Sequence, residues 1–268
     1  MTLDELEMRA ASLREHVAAP IEFPEPAIKL DLLSREGEPV RQFKYLHQMC
    51  LLHAENFVRA NEIKLVTLLD GYQLVARAQN ALGPYLYART LLELCAFSYD
   101  VAARLRDIAA KPSANWRPKG EEFFALLVRA RFATTDPAKR QFLEAAGCPS
   151  RLLKPLNVMS SLSALAADPQ AGTLSGQYEK FCDFVHHNLS SQVTSSPGFR
   201  MGDSAHSAGG GALVTTKQGP ITRYEYPVSS KAARAVEETL PVIVKAVEIC
   251  VKSLKTLPRT PFSPEMPT

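Results

Sequence analysis

The chain has little of what would reveal a function from composition alone. Its 268 residues include only five cysteines and one tryptophan, and the formal net charge is +3. Such a small charge gives no strong electrostatic attraction to nucleic acids or to membranes. The cysteines are odd in number and far apart, which argues against a disulfide framework or a zinc site and favours reduced residues in a core. They are Cys50, Cys95, Cys148, Cys182 and Cys250.

Long apolar runs are also absent. No stretch approaches the roughly 18 uncharged residues of a membrane span. Residues Met1 to Ala18 carry acids and bases at helical spacing, unlike a signal peptide. We therefore expect a cytoplasmic protein with no membrane partner.

Established catalytic and cofactor motifs are missing as well. The chain has no G-x-x-x-x-G-K-[ST], no G-x-G-x-x-G after a strand, no H-E-x-x-H and no G-x-S-x-G. His47, Cys50 and His53 recur every three residues, but this spacing drifts around a helix, which disfavours a metal site. We predict no cofactor and no metal.

Helical patterns fill most of the chain, punctuated by proline and glycine. We predict an all-α, multi-helix bundle with one small β-hairpin inserted before the C-terminal helix. The expected helices are Leu3–Ala18, Pro39–Asn80 in two pieces joined near Gly71, Pro84–Ala110, Lys119–Ala133, Pro137–Ala146, Pro149–Ala166, Leu174–Ser191 and Ser229–Lys255.

The domain organisation follows from the segments that lack this pattern. Residues 1–38 are predicted to form an N-terminal helix and a proline-rich connector, and residues 39–256 the helical bundle domain. Within the bundle, 194–228 should hold a Ser/Gly-rich loop up to residue 211 and then a hairpin of Ala212–Thr216 and Ile221–Tyr226, which are rich in β-branched and aromatic residues. Residues 257–268 contain several prolines and are predicted to be a disordered tail.

The helix from Pro84 carries a charged stripe on an otherwise apolar surface. Arg89, Glu93 and Asp100 share one face. Buried charges need partners, so one interpretation is an internal Arg89–Glu93 ion pair that only orients helices. The other is that the stripe lines a polar cleft shared with a second helix.

The segment from Tyr178 to Asn188 is the best candidate for that second wall. Asp183 precedes His186 and His187 by three and four residues, so it can contact either histidine on a helix. A carboxylate beside an imidazole favours proton transfer near neutral pH. The competing interpretation is a solvated polar face with no chemistry.

These two stretches, Arg89-Thr-Leu-Leu-Glu93 and Tyr178-x-x-Phe-Cys-x-Phe-Val-His186-x-Asn188, resemble uncharacterised prokaryotic helical proteins related to the HEPN (higher eukaryotes and prokaryotes nucleotide-binding) group. The resemblance covers about residues 39–191. It implies a helical bundle, often dimeric, and in some members RNA cleavage in toxin or phage-defence systems. By resemblance His186 is the acid/base group and Asn188 a polar companion, while Lys180 stands where those proteins carry an arginine.

Two function classes follow. In the first, the protein is an RNA- or nucleotide-directed enzyme of defence or stress. Its catalytic residues are His186, Asp183, Arg89 and Glu93, and Tyr178, His187 and Asn188 contribute to binding. In the second, it is a non-catalytic helical interaction or dimerisation module. The partners expected are a second copy, RNA or a nucleotide, or a protein bound through loop 194–211 or the tail.

Overall fold

The fold is a helical bundle, which confirms the predicted all-α class. A computed structural model describes residues 2–17, 38–112, 116–145, 147–169, 171, 174–185, 198–201, 212–215, 222–225 and 228–262. The predicted connector at 18–37 lies outside these residues. The helices are α1 (Leu3–Val17), α2 (Pro39–Arg77), α3 (Gly83–Ala110), α4 (Trp116–Phe132), α5 (Pro137–Ala145), α6 (Val158–Ala166), α7 (Leu174–Val185) and α8 (Val228–Lys255).

Helix α2 is one continuous helix of 39 residues, so the prediction of two pieces is wrong. The glycine that suggested a break serves close packing instead. A Cβ atom at Gly71 would lie 2.3 Å from Cε1 of Tyr87 on α3. Only glycine leaves room for that ring, and the packing outweighs the helix propensity lost at this position.

The helix predicted from Pro149 to Ala166 is interrupted, which corrects that prediction. A 3₁₀ turn, Ser150–Leu153, precedes a break at residues 154–157, and α6 then begins at Val158. Pro155 cannot donate a backbone hydrogen bond and constrains the residue before it. The side chain of Asn157 accepts a bond from the Met159 amide and caps the new helix.

Among the described residues, three short strands precede α8. They are β1 (Gly198–Met201), β2 (Ala212–Thr215) and β3 (Thr222–Glu225). Both outer strands pair antiparallel with the central β3, and Phe199 and Leu213 are both in register with Tyr224. Strands β2 and β3 lie in the two segments of the predicted hairpin. Strand β1 lies within the segment predicted as a loop. Its own sequence pattern does not indicate a strand, and it forms one because its backbone pairs with β3.

The contacts divide the chain into two compact units. The first comprises Met1–Ser12, Val66–Leu92 and Gly172–Val247. Its core includes Leu69, Tyr72 and Phe181, each no more than 1% exposed. The Tyr72 hydroxyl lies 3.0 Å from Oγ1 of Thr239, which joins α2 to α8 inside this core.

The second unit comprises Leu13–Leu65, Glu93–Ala171 and Glu248–Thr268. Phe123 and Phe124 of α4 are buried here and belong to the core of this unit. The amine of the buried Lys119 donates to the carbonyl oxygens of Ala109 and Lys111 at 2.8 and 2.7 Å. This lysine therefore satisfies carbonyl groups at the C-terminal end of α3.

Residues 257–262 differ from the predicted disordered tail. Leu257 and Pro261 are buried. The Phe262 ring lies 5.0 Å from that of Phe43 and 6.5 Å from that of Trp116. Aromatic packing in the second unit thus outweighs the effect of proline on this segment. Residues 263–268 lie outside the described residues.

Half of the residues of α3 are buried, but Leu86, which belongs to its apolar surface, is 48% exposed. No helix among the described residues is both long and apolar enough to cross a membrane.

Candidate functional site

The residues of the predicted site are only partly brought together. Arg89 lies over the ring of Tyr178, with its guanidinium carbon 5.7 Å from the ring centroid. This contact joins α3 and α7, the two helices predicted to form the walls of a cleft, within the first unit. Tyr178 is 6% exposed, so its ring supports Arg89 and is not open to a ligand.

The other predicted residues with described positions, Glu93 and Asp183, lie on the same two helices. Asp183 is exposed on α7. Glu93 lies one helical turn after Arg89 on α3, is half-buried and belongs to the second unit. His186, His187 and Asn188 fall outside the described residues, so their proposed roles stay predictions.

A cluster missed by the sequence analysis surrounds Glu238 of α8. Its carboxylate accepts from the Tyr85 hydroxyl at 3.0 Å and from the Arg234 guanidinium at 2.8 Å. The Lys180 amine lies 3.0 Å away and completes the set. Three helices, α3, α7 and α8, thus meet at one carboxylate, and we call Tyr85, Lys180, Arg234 and Glu238 the Glu238 cluster.

Aromatic packing holds this cluster in place. The Tyr85 ring stacks on Phe184 with centroids 4.0 Å apart and an angle of 6° between the planes. It also contacts Phe181 at 5.8 Å. Tyr85 is 3% exposed, so its hydroxyl is fixed and directed at Glu238.

The protonation states in the cluster follow from burial and charge. Burial alone would raise the pKa of the Glu238 carboxyl, but hydrogen bonds from Arg234, Lys180 and Tyr85 outweigh it and hold the pKa below its ordinary value. Burial and the Glu238 charge raise the pKa of the Tyr85 phenol well above its ordinary value. Glu238 therefore stays ionised and Tyr85 stays protonated near neutral pH, and neither suits proton transfer there.

The two cations remain accessible. The Arg234 side chain is 75% exposed and that of Lys180 45%, whereas that of Glu238 is 18% exposed. The anion is thus more sheltered than its cations, and the cluster presents a net positive surface. This arrangement can contact a phosphate group, for which guanidinium and ammonium groups are the common partners.

A sequence signal for this cluster existed but was weak. Tyr85 lies one helical turn before Arg89, and Arg234 and Glu238 have the i,i+4 spacing of a helical ion pair. Such pairs are common on helix surfaces. Their spacing alone does not reveal that Lys180 and Tyr85 meet the same carboxylate.

The histidines considered for a metal site have separate partners. His47 Nδ1 lies 3.2 Å from Oγ1 of Thr260, and His53 Nδ1 lies 2.8 Å from the Arg131 guanidinium. Burial lowers the pKa of Arg131 to about 10, so arginine remains the donor and His53 Nδ1 accepts. Within the described part of the chain, no group of three or more His, Cys, Asp or Glu residues is placed to hold a metal ion.

Comparison of the chain with family models, with curated proteins and with solved structures finds no match in any of the three.

Proposed function

We propose that this chain is a HEPN-like helical protein that acts on RNA or a nucleotide in the cytoplasm of a prokaryote, in defence or stress response. The observation that supports this function best is the contact between Arg89 and Tyr178. It joins the two helices on which the resemblance rests, and those helices also carry members of the positively charged Glu238 cluster.

The roles divide between catalysis and binding. His186 transfers the proton and Asp183 orients its ring, since no proton transfer is available from Tyr85 or Glu238 near neutral pH. Arg89 contacts a phosphate or pairs with Glu93. Because Tyr178 is buried, it positions Arg89, while His187 and Asn188 contact the ligand.

The cations of the Glu238 cluster extend the binding surface. Lys180 stands where related proteins carry an arginine, and a lysine offers a point charge rather than a planar fork of donors. Arg234 shares the Glu238 carboxylate with Lys180, so a guanidinium is supplied from α8 beside it. RNA phosphates would contact this pair.

The catalytic test is the substitution His186→Ala. We expect loss of RNA cleavage in vitro, or of toxicity in cells, with no fall in Tm. Cleavage that persists in this variant would remove His186 from the mechanism.

Binding is tested separately with a fluorescein-labelled single-stranded RNA at several salt concentrations. We expect Arg234→Gln to weaken binding and to lower the salt slope by about 0.7, the value for one phosphate contact on a single strand. Arg117→Gln is the matched control, because Arg117 forms the same type of i,i+4 pair, with Glu121 at 2.9 Å. Equal losses in both variants would show that only overall charge matters.

The alternative function is a non-catalytic helical interaction or dimerisation module. A different observation favours it: side chains from three helices donate hydrogen bonds to the Glu238 carboxylate. Such a set of bonds can serve only to hold the helices together. In this case Arg89→Ala lowers the free energy of unfolding by a few kcal/mol, and His186→Ala is without effect on activity. An Arg89→Ala variant as stable as wild type but inactive would exclude the module.

The proposed partners of such a module are a second copy of the chain, or a protein bound through segment 194–211 or the C-terminal residues. Sedimentation over a range of protein concentrations tests the homodimer. A monomer at all concentrations would leave only partners of another kind.

A further inference from the structure

A cavity of about 570 Å³ in the second unit lies along α2. Five of its lining residues follow one stripe of α2, and the segment after α8 closes it with Arg259. The lining residues are Leu52, Glu55, Asn56, Val58, Arg59, Glu62 and Arg259. Its volume is in the range of small-molecule sites.

Arg259 carries a donor that lacks an acceptor. Its Nη1 atom is buried and has no hydrogen-bond partner among the described residues. A buried donor without an acceptor costs about 1–3 kcal/mol, and folded proteins rarely retain one without a reason. Arg259 also lines the cavity, and a ligand oxygen there would supply the acceptor once the guanidinium turns towards it.

The charges of the lining select the kind of anion. Two guanidinium groups, Arg59 and Arg259, share the cavity with two carboxylates, Glu55 and Glu62. A doubly charged phosphate would be repelled by both carboxylates, whereas a single carboxylate suits the fork of a guanidinium. Glu55 is exposed and offers a site for an ammonium group.

We propose that this cavity binds a small zwitterion of the amino-acid type. Its carboxylate bonds to Arg259, its ammonium group faces Glu55, and an apolar portion packs against Leu52 and Val58. The buried amide of Asn56, 5% exposed, lies in the same lining. The proposal is independent of any activity on RNA, because it involves none of the residues assigned to that function.

The test compares three probes that share a hydrocarbon portion. L-leucine carries both charges, 4-methylpentanoate only the carboxylate and 3-methylbutylamine only the amine. We expect millimolar L-leucine to raise the Tm of the full chain most, 4-methylpentanoate less, and the amine and inorganic phosphate not at all. An equal shift from the amine or from phosphate, or no shift from any probe, would overturn the proposal.

Variants then assign the shift to the cavity. Arg259→Met should weaken L-leucine binding at least tenfold, and the variant without ligand should melt no lower than wild type because the orphaned donor is gone. Arg117→Met, which removes an exposed guanidinium on α4, should keep the wild-type response. A response that survives in Arg259→Met would contradict the assignment.

Should Arg259→Met fail to fold, the exposed Glu55 provides a second test. Glu55→Gln should remove the advantage of L-leucine over 4-methylpentanoate and leave carboxylate binding intact. An unchanged preference for L-leucine would refute the proposed orientation.

Discussion

Glu238 in the first unit and Asp100 in the second are two carboxylates held in the same way, by a cation one turn away and a hydroxyl from another helix. Glu238 accepts from Arg234 and Tyr85 and pairs with Lys180. Asp100 accepts from Arg104 at 2.8 Å and from Ser161 at 2.9 Å. Both carboxylates connect helices.

They differ in what surrounds them. The Asp100 side chain is only 5% exposed, and Ser161 is completely buried. Around Glu238 there is a second cation, and the most exposed cation, Arg234, is 75% accessible. Arg104 is 45% exposed, as is Lys180, so the two carboxylates differ in the second cation and in the greater exposure of Arg234. These two features leave the partners of Glu238 better placed to contact a ligand.

The largest effect on stability is expected for Asp100→Ala. The substitution leaves the buried Ser161 hydroxyl with only a longer bond, 3.4 Å, to the Asn157 carbonyl oxygen and removes the partner of Arg104. The free energy of unfolding should therefore fall by about 2–4 kcal/mol. Urea denaturation measures this change. The control is Asp107→Ala, which removes an exposed carboxylate from the same helix. Equal losses of stability in the two variants would show that the buried bonds of Asp100 do not set the size of the effect.

Glu238→Ala should cost less, about 1–2 kcal/mol. The Tyr85 hydroxyl loses its acceptor, but both cations can rehydrate. The carboxyl has a folded-state pKa below its ordinary value of 4.5. Its contribution is therefore complete above pH 4.5 and is lost as the pH falls through the folded-state pKa.

The stabilities of wild type and Glu238→Ala should accordingly converge as the pH falls below 4.5, the ordinary pKa of the carboxyl. Thermal melts measure this convergence. Glu237→Ala, at the neighbouring exposed carboxylate, should show no such convergence. A constant gap between wild type and Glu238→Ala at all pH values would contradict the role assigned to the charge.

Tyr85→Phe should lower the free energy of unfolding by about 1 kcal/mol, since one hydrogen bond is lost while the stack on Phe184 remains. Tyr72→Phe loses a bond to the neutral Thr239 hydroxyl and should cost slightly less, because its acceptor carries no charge. A larger loss in Tyr72→Phe would show that burial, rather than the charge of the acceptor, governs these bonds. Burial raises the pKa of Tyr72 to about 12, so neither phenol ionises in the measurement at neutral pH.

The smallest effect on stability is expected for Arg234→Gln. An exposed i,i+4 ion pair contributes about 0.3–0.5 kcal/mol, so Tm should barely change while RNA binding weakens. A fall in the free energy of unfolding as large as that expected for Asp100→Ala would show that Arg234 has a structural role. It would also remove the contrast between the two carboxylates.

The sequence predicted the helices well because their apolar spacing and proline breaks are local signals. It failed at Gly71 and at Phe262, where the outcome depends on the Tyr87 ring and on an aromatic cluster from other parts of the chain. It also failed at Pro155, although this proline and the Asn157 cap two residues later are local signals. Two residues of the Glu238 cluster could not be predicted either. The Arg234–Glu238 pair has a local spacing, but the contacts of Tyr85 and Lys180 with Glu238 depend on tertiary packing.

Each unit is assembled from segments that are distant in sequence: the first needs residues up to Val247, and the second needs residues from Glu248 onward. During ribosomal synthesis, neither set of contacts can be completed until the C-terminal helix has left the exit tunnel. Domains of contiguous sequence can fold one after another as they emerge, but here the nascent chain keeps apolar helix faces uncovered until late. We therefore expect chaperone dependence during translation, and fragments ending before α8 should be insoluble when expressed.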